Sequence, residues 1–317
     1  MLKTLACLAA LAFAGAAHAQ TGKTTRIVVG FPPGQATDLV ARLVAERLGP
    51  MLGETVIVEN RPGQGGSGAL AALAKSTPDG SQMVLAPLAS MVVNPHLYKS
   101  VGYDTLKDLD PVALVADLPL LMVANPSVPV KNLPELIAYA KANPDKLTHP
   151  SSGNGTLSHL GFEDLKRRAG ITILHVPYQG SPRAMADLIG GAVHVAMDTV
   201  TVTQPHIQSG RLRLLATAFG ERLPAFADTP TIAEQGFPGF SLSAWLGIVA
   251  PAGTPKARVV QLEKALLAIV KSPEVSEKYV TLGAVPRTLG TEAFRAHVAA
   301  ENQRWAGVVK NSGAKVD

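Results

Sequence analysis

RIVVGFPPGQATDLVARLVAERL, residues Arg26 to Leu48, passes from an apolar β-branched run through a proline–glycine turn into a helical pattern. Arg26 to Phe31 reads as a strand. In Thr37 to Leu48, Leu39, Val40, Leu43, Val44 and Leu48 share one face, with Arg42, Glu46 and Arg47 on the other. That spacing is the period of an amphipathic helix. Thr55 to Val58 is the next strand, Ala69 to Lys75 a short helix and Met83 to Ala86 a third strand. Strands alternating with helices predict an α/β fold, with parallel sheets covered by helices.

The alternation resumes after Pro119. Strands are expected at Leu120 to Ala124, Leu147 to His149, Ile173 to Val176, Val193 to Met197 and Arg213 to Ala218. Helices are expected at Leu133 to Asn143, Thr156 to Arg168 and Pro182 to Ile189. Beyond Trp245, Leu246 to Ala250 is apolar and a Pro-Ala-Gly-Thr-Pro turn follows it. The rest reads as helices over Pro255 to Val270, Pro273 to Thr281 and Thr291 to Asn311, with no further sheet. A terminal helical layer needs a sheet to cover, and the first sheet is the available partner. The expected organisation is therefore residues 20–118 with 246–317 as one discontinuous domain and residues 119–245 as the second. Two chain crossings make a hinge, a layout suited to closing around a ligand.

The start of the chain sets the compartment. Met1-Leu2-Lys3 precedes an apolar run from Leu5 to Ala17, and Ala17-His18-Ala19 supplies the small residues that a signal peptidase requires. Residues 1–19 are expected to be a cleaved signal peptide, because the run is shorter than the about 20 residues that span a bilayer. Cys7 is the one cysteine and falls inside that leader. The exported chain then has no disulfide, thiolate metal site or cysteine nucleophile. Losing Lys3 leaves a formal charge of +4, and the basic residues are scattered rather than gathered into the stripe that nucleic acid requires. Neither nucleic-acid binding nor stable membrane insertion is expected.

Three turns between a strand and a helix present small residues and free N–H groups at a helix N-terminus, which suits an anion. The first holds Pro33, Gly34, Gln35 and Thr37, with Thr37 or Asp38 as the cap. The second is Ser151 to His159, including Ser152, Gly155 and Ser158. The third is Val176 to Arg183, including Tyr178, whose phenol has the reach to cross a cleft, and Gly180. Asp198 ends the following strand. Gly63 to Gly68 formally matches a dinucleotide fingerprint, but Asn60-Arg61-Pro62 parts it from its strand and no acid ends the next one. A flexible loop is the expectation there, and no cofactor is predicted. There is no Gly-x-Ser-x-Gly elbow, no His-Glu-x-x-His helix and no concentration of histidines. An enzyme is not expected. The alternative is a serine hydrolase using Ser158 or Ser152 with His159, a residue better suited to packing or capping.

Seven stretches in order resemble the Bug family, the extracytoplasmic receptors of tripartite tricarboxylate transporters. They are PPGQATDLVARLVAERLG (Pro32 to Gly49), VENRPGQGGSGA (Val58 to Ala69), TPDG (Thr77 to Gly80), SSGNGTLSHL (Ser151 to Leu160), VPYQGSPRAMADLIGG (Val176 to Gly191), PTIAEQGFPGF (Pro230 to Phe240) and APAGTP (Ala250 to Pro255). The resemblance implies a two-domain, Venus-flytrap, type II-like periplasmic-binding-protein fold. In it a ligand carboxylate is held between the domains by backbone groups and ordered water. Carried onto this chain, it implies Pro33, Gly34, Thr37, Ser152, Gly155, Ser158, Tyr178, Gly180 and Asp198 as ligand-binding residues, with Ser90 added. It also implies a periplasmic monomer that hands a small carboxylated ligand to the transporter's membrane subunits. Gln35 departs from the pattern, since the family usually has Gly-Gly where this chain has Gly34-Gln35. Either Gln35 carries the strain of positive φ, or the turn is rearranged and its amide enters the cleft.

Overall fold

The computed structural model describes residues 23–312, with side chains to Lys310. The signal peptide and Cys7 lie outside the described residues. β1 (Thr24–Val29), β2 (Thr55–Asn60) and β3 (Gln82–Pro87) alternate with α1 (Ala36–Leu52) and α2 (Ser67–Leu73), and β1 pairs in parallel with both other strands. This is the α/β pattern expected. The apolar face of α1 lies over the sheet and packs against α8 (Lys256–Lys271).

The sheet is mixed rather than parallel. β9 (Ser243–Pro251) joins β3 antiparallel, and β4 (Leu109–Ala124) joins β9 antiparallel. Parallel pairs arise where a helix carries the chain back over the sheet; a strand that returns directly from another layer enters in the opposite sense. β4 is three times the length expected of it. Pro111, Asp117 and Pro119 interrupt its apolar run, and the strand survives them through irregular pairing with β9 near Pro111 and Leu114. β10 (Val285–Leu289), which was not expected, adds an edge to β4. Its Pro286 and Arg287 hide the strand pattern, yet an edge tolerates a proline because one side of the strand needs no donor.

The far end of β4 builds a second sheet by pairing antiparallel with β7 (Val195–Thr199) and β8 (Arg213–Thr217). β5 (Thr148–Ser151) and β6 (Leu174–Pro177) form a parallel pair beside it. Around these lie α4 (Leu133–Ala142), α5 (Leu157–Ala169), α6 (Ser181–Ile189) and α7 (Val200–Gln208). The long α10 (Thr291–Ser312) packs on β4 and against α3 (Asn94–Leu97), while α9 (Pro273–Thr281) lies on α8 and β10. One hydrophobic cluster runs without a break from Val28 and Val84 under the first sheet, through Leu114, Leu120 and Trp245, to Phe162 under the second.

A buried ion pair closes the base of the first sheet. Arg258 of α8 reaches Glu54 at 2.7 Å, the Thr25 hydroxyl at 2.9 Å and the Gly80 carbonyl at 3.3 Å. Burial alone would raise the Glu54 pKa, but hydrogen bonds from Arg258 and Thr25 outweigh it and leave the carboxyl below its ordinary value.

Candidate functional site

The first turns of α1 and α5 face one another across the junction where β4 and β9 run between the two sheets. Between them is a cavity of about 50 Å³. Gln35 and Thr37 line it from one side, Ser152, Thr156 and Ser158 from the other, and Asp198 and Thr199 from the end of β7. Phe31, Leu118, Leu120 and Ala244 supply apolar walls. Among the described residues no lysine or arginine lines it. Neither helix has a side-chain cap, so first-turn N–H groups stay available with their partial positive charge.

The Pro32–Asp38 turn is held from behind. Asp38 Oδ2 accepts the Gly34 N–H at 2.9 Å, Arg42 pairs with Asp38 at 2.9 Å, and Asn60 Nδ2 donates to Asp38 Oδ1 at 2.8 Å and to the Phe31 carbonyl at 3.0 Å. Burial works to raise the Asp38 pKa, but these hydrogen bonds prevail and hold it low. Asp38 thus fixes the turn by bonding Gly34 instead of capping its own helix. Gly34 carries the positive φ of +80°, whereas Gln35 sits at φ −77°, ψ 155°. Of the two outcomes open to Gln35, the structure adopts the unstrained backbone with the amide inside the cleft. Its Oε1 accepts the Ser181 N–H at 3.3 Å, at the start of α6.

The serine turn is a hydroxyl network. Ser158 Oγ accepts the Ser152 N–H at 3.0 Å and lies 2.9 Å from Ser152 Oγ and 2.8 Å from Thr156 Oγ. Behind it three histidines stack. Ring centroids are 4.0 Å apart for His159 and His175, and 4.9 Å for His149 and His175; His149 also lies 4.0 Å from Phe162. Burial pushes His159 down to about 4 and His175 to about 3, the second also opposed by its neighbouring rings. Burial works against charge on Glu163 too, but His149 and Lys166 overcome it and hold the carboxyl near 2. His159 Nδ1 accepts the Gly155 N–H at 3.2 Å, so His159 packs and supports the turn. The Ser158–His159 hydrolase arrangement is not assembled. A different pair, Ser151 Oγ and His175 Nε2, lies at 2.7 Å, but Ser151 is fully buried and burial opposes a proton on His175.

Asp198 is buried at the cavity wall. Ser181 Oγ donates to it at 2.7 Å and the Thr199 N–H at 2.7 Å. Burial dominates these bonds and pushes its pKa up to about 6.

The remaining expected residues sit elsewhere. Pro33 and Gly34 are exposed and face an outer groove with Pro182 and Met185. The Tyr178 phenol donates to Asp187 at 2.6 Å on its own side instead of crossing the cleft. Ser90 is fully buried and spends its hydroxyl on the Pro87 carbonyl at 3.1 Å. Gly155 and Gly180 let the two sides meet: a Cβ on Gly155 would lie 2.4 Å from Asn94 Oδ1, and one on Gly180 2.8 Å from Pro32. Tyr98 also crosses, donating to the Asn154 carbonyl at 2.9 Å. The Gly63 to Gly68 segment, expected to be flexible, is pinned by Asn94, whose Nδ2 bonds Ser67 Oγ at 2.8 Å and the Gly65 carbonyl at 3.2 Å. Thr156 and the apolar walls were missed. Thr156 had a signal, a threonine directly before a helix; the walls had none, because they come from strands whose pairing is long-range.

Comparison with known proteins shows the family. Residues 40–314 match the model of the tripartite tricarboxylate transporter family receptor. The protein BugT of Bordetella pertussis is 38% identical over 292 residues, which covers 92% of this chain and 90% of that protein. An R. palustris protein solved with adipate superposes with a TM-score of 0.89 at 34% identity, covering 92% of this chain and 98% of that one. MatC from Rhodopseudomonas palustris with bound malate gives a TM-score of 0.85 at 31% identity, covering 90% and 98%.

Proposed function

This chain belongs to the tripartite tricarboxylate transporter receptor family, the Bug proteins, which are periplasmic solute-binding receptors, and from that premise we propose that it captures a small carboxylate by closure and delivers it to a transporter's membrane subunits. The observation that carries this reading is the cavity between the two sheets. It is lined by two uncapped helix starts, hydroxyls and one amide, and by no fixed cation. Such a lining neutralises a carboxylate with dipoles and hydrogen bonds, which hold an anion in place without the tight ion pair that would slow its release. Adipate and malate, bound by two relatives, belong to the same chemical class.

In mechanism, residues 20–118 with 246–317 form one domain and residues 119–245 the other, hinged where β4 and β9 run side by side. The ligand carboxylate first meets Thr37 and the start of α1, or Ser152, Thr156 and Ser158 at the start of α5. Closure brings the other set onto it and replaces water with oriented dipoles. Pro33, Gly34 and Gly180 act as the facing rims, and Gly155 seats Asn94. No helix among the described residues is long and apolar enough to cross a membrane.

The test is recovery. Protein beginning at Gln20 is incubated with a panel of carboxylates and their esters, and bound and free compounds are identified by mass spectrometry. A receptor returns its acid unchanged at one molecule per chain. Release of acid from an ester, lost on substituting Ser158 by Ala, would establish the hydrolase instead.

A further inference from the structure

We propose that Gln35 determines ligand choice at this site, its carboxamide shortening the cavity and donating Nε2 to the carboxylate of a short monocarboxylic acid. The inference rests on the receptor reading above and goes beyond it in naming the class of acid and the residue that selects it.

Four observations carry it. Gln35 is 7% exposed and lines the cavity. Its Oε1 is anchored across the cleft on the Ser181 N–H at 3.3 Å, while Nε2 has no hydrogen-bond partner among the described residues. With the oxygen tied down, the two N–H donors of the amide are left for a ligand in the cavity that Gln35 lines. The anchor is specific, because a Cβ on Gly180 would lie 2.9 Å from the Gln35 oxygen; glycine there makes room for the amide. The φ of −77° at Gln35 costs nothing for a glutamine, so the side chain is held in the cleft without backbone strain.

Size and charge then set the class. A cavity of about 150 Å³ admits benzene, and the one here is about 50 Å³. It is about a third of that size, which favours a short acid over an extended six-carbon diacid. The one ionisable side chain lining the cavity is itself acidic, Asp198. A second ligand carboxylate would meet that group and no cation. With glycine at position 35, five side-chain heavy atoms would leave the cavity, and a longer acid would gain the space.

The experiment is calorimetric titration of propionate and adipate into the wild-type chain, Gln35→Gly and Gln35→Glu, with each variant's melting temperature recorded. The wild type is expected to bind propionate at least tenfold more tightly than adipate. Gln35→Gly should lose about tenfold in propionate affinity, the worth of one hydrogen bond to a charged group, and should gain adipate. Gln35→Glu keeps the shape but sets a carboxylate against the ligand, and should lose propionate binding by more than tenfold with an unchanged melting temperature. A wild-type preference for adipate, or a Gln35→Gly variant with the wild-type ratio, overturns the assignment and leaves the receptor standing. Failure of both acids, and of a wider carboxylate panel, to bind any of the three proteins would remove the receptor reading and this inference with it.

Discussion

Gly180 is where closure is most exposed to a single substitution. It has φ +129°, and a Cβ there would lie 2.8 Å from Cδ and Cγ of Pro32 and 2.9 Å from Gln35 Oε1. Gly180→Ala therefore acts twice, and the two effects are separable. Its φ of +129° with ψ 162° lies in a region nearly exclusive to glycine, which strains alanine by about 1–3 kcal/mol whether the cleft is open or closed. That effect lowers the melting temperature of ligand-free protein by about 2–4 °C for each kcal/mol. The overlap with Pro32 exists only when the two sides meet. Overpacking of this kind costs about 1–3 kcal/mol, so it weakens ligand binding by about 5- to 150-fold when binding requires closure. Titration calorimetry with a bound carboxylate reads the second effect, and a thermal melt without ligand reads the first. A well-folded Gly180→Ala protein with affinity within twofold of wild type would refute the reasoning, since the Pro32–Gly180 contact would then play no part in the ligand-bound state.

Three further outcomes are expected. His159 and His175 are held at about 4 and about 3 by burial, below the 6.5 of a free histidine. Their contribution to stability is therefore complete above pH 6.5 and is lost as pH falls toward 3; thermal melts should be flat above pH 6.5 and fall progressively below it, less so in His175→Phe. Arg258→Met leaves Glu54 buried with the Thr25 hydroxyl at 2.6 Å and Lys23 at 3.9 Å in place of the guanidinium, and should cost about 3 kcal/mol in urea unfolding. Asp198, pushed up to about 6, is ionised at pH 7.5 and increasingly neutral below pH 6. Carboxylate affinity should therefore tighten between pH 7.5 and 6, and Asp198→Asn should remove that trend in calorimetric titrations.

The parts of the fold that could be read in the sequence are those with local causes. The strand, turn and helix from Arg26 to Leu48 appear as expected because their periodicity and breakers lie within one window. β4 was reduced to its last five residues because Pro111 and Pro119 argue against a strand locally, and only its pairing with β9 overrides them. β10 hid behind Pro286 and Arg287 for the same reason. At the site, Gln35, Thr37, Ser152, Ser158 and Asp198 were visible as polar residues where strands run into helices, and they do share one cavity. Tyr178 and Ser90 fit the same local description, yet Asp187 and the Pro87 carbonyl engage their hydroxyls. Sequence pattern shows that a hydroxyl is present; the competing partner that claims it comes from the packing.

The central claim is that the cavity between the sheets holds a carboxylate by dipoles and hydrogen bonds. Its most direct test is the melting temperature of the purified chain with a short carboxylic acid and with the matching primary amide. At 100 times its dissociation constant the acid should add about 2.7 kcal/mol of stability, and the amide, lacking the charge, should add almost none. Equal stabilisation by acid and amide, or none by any acid in protein free of carried-over ligand, would contradict it.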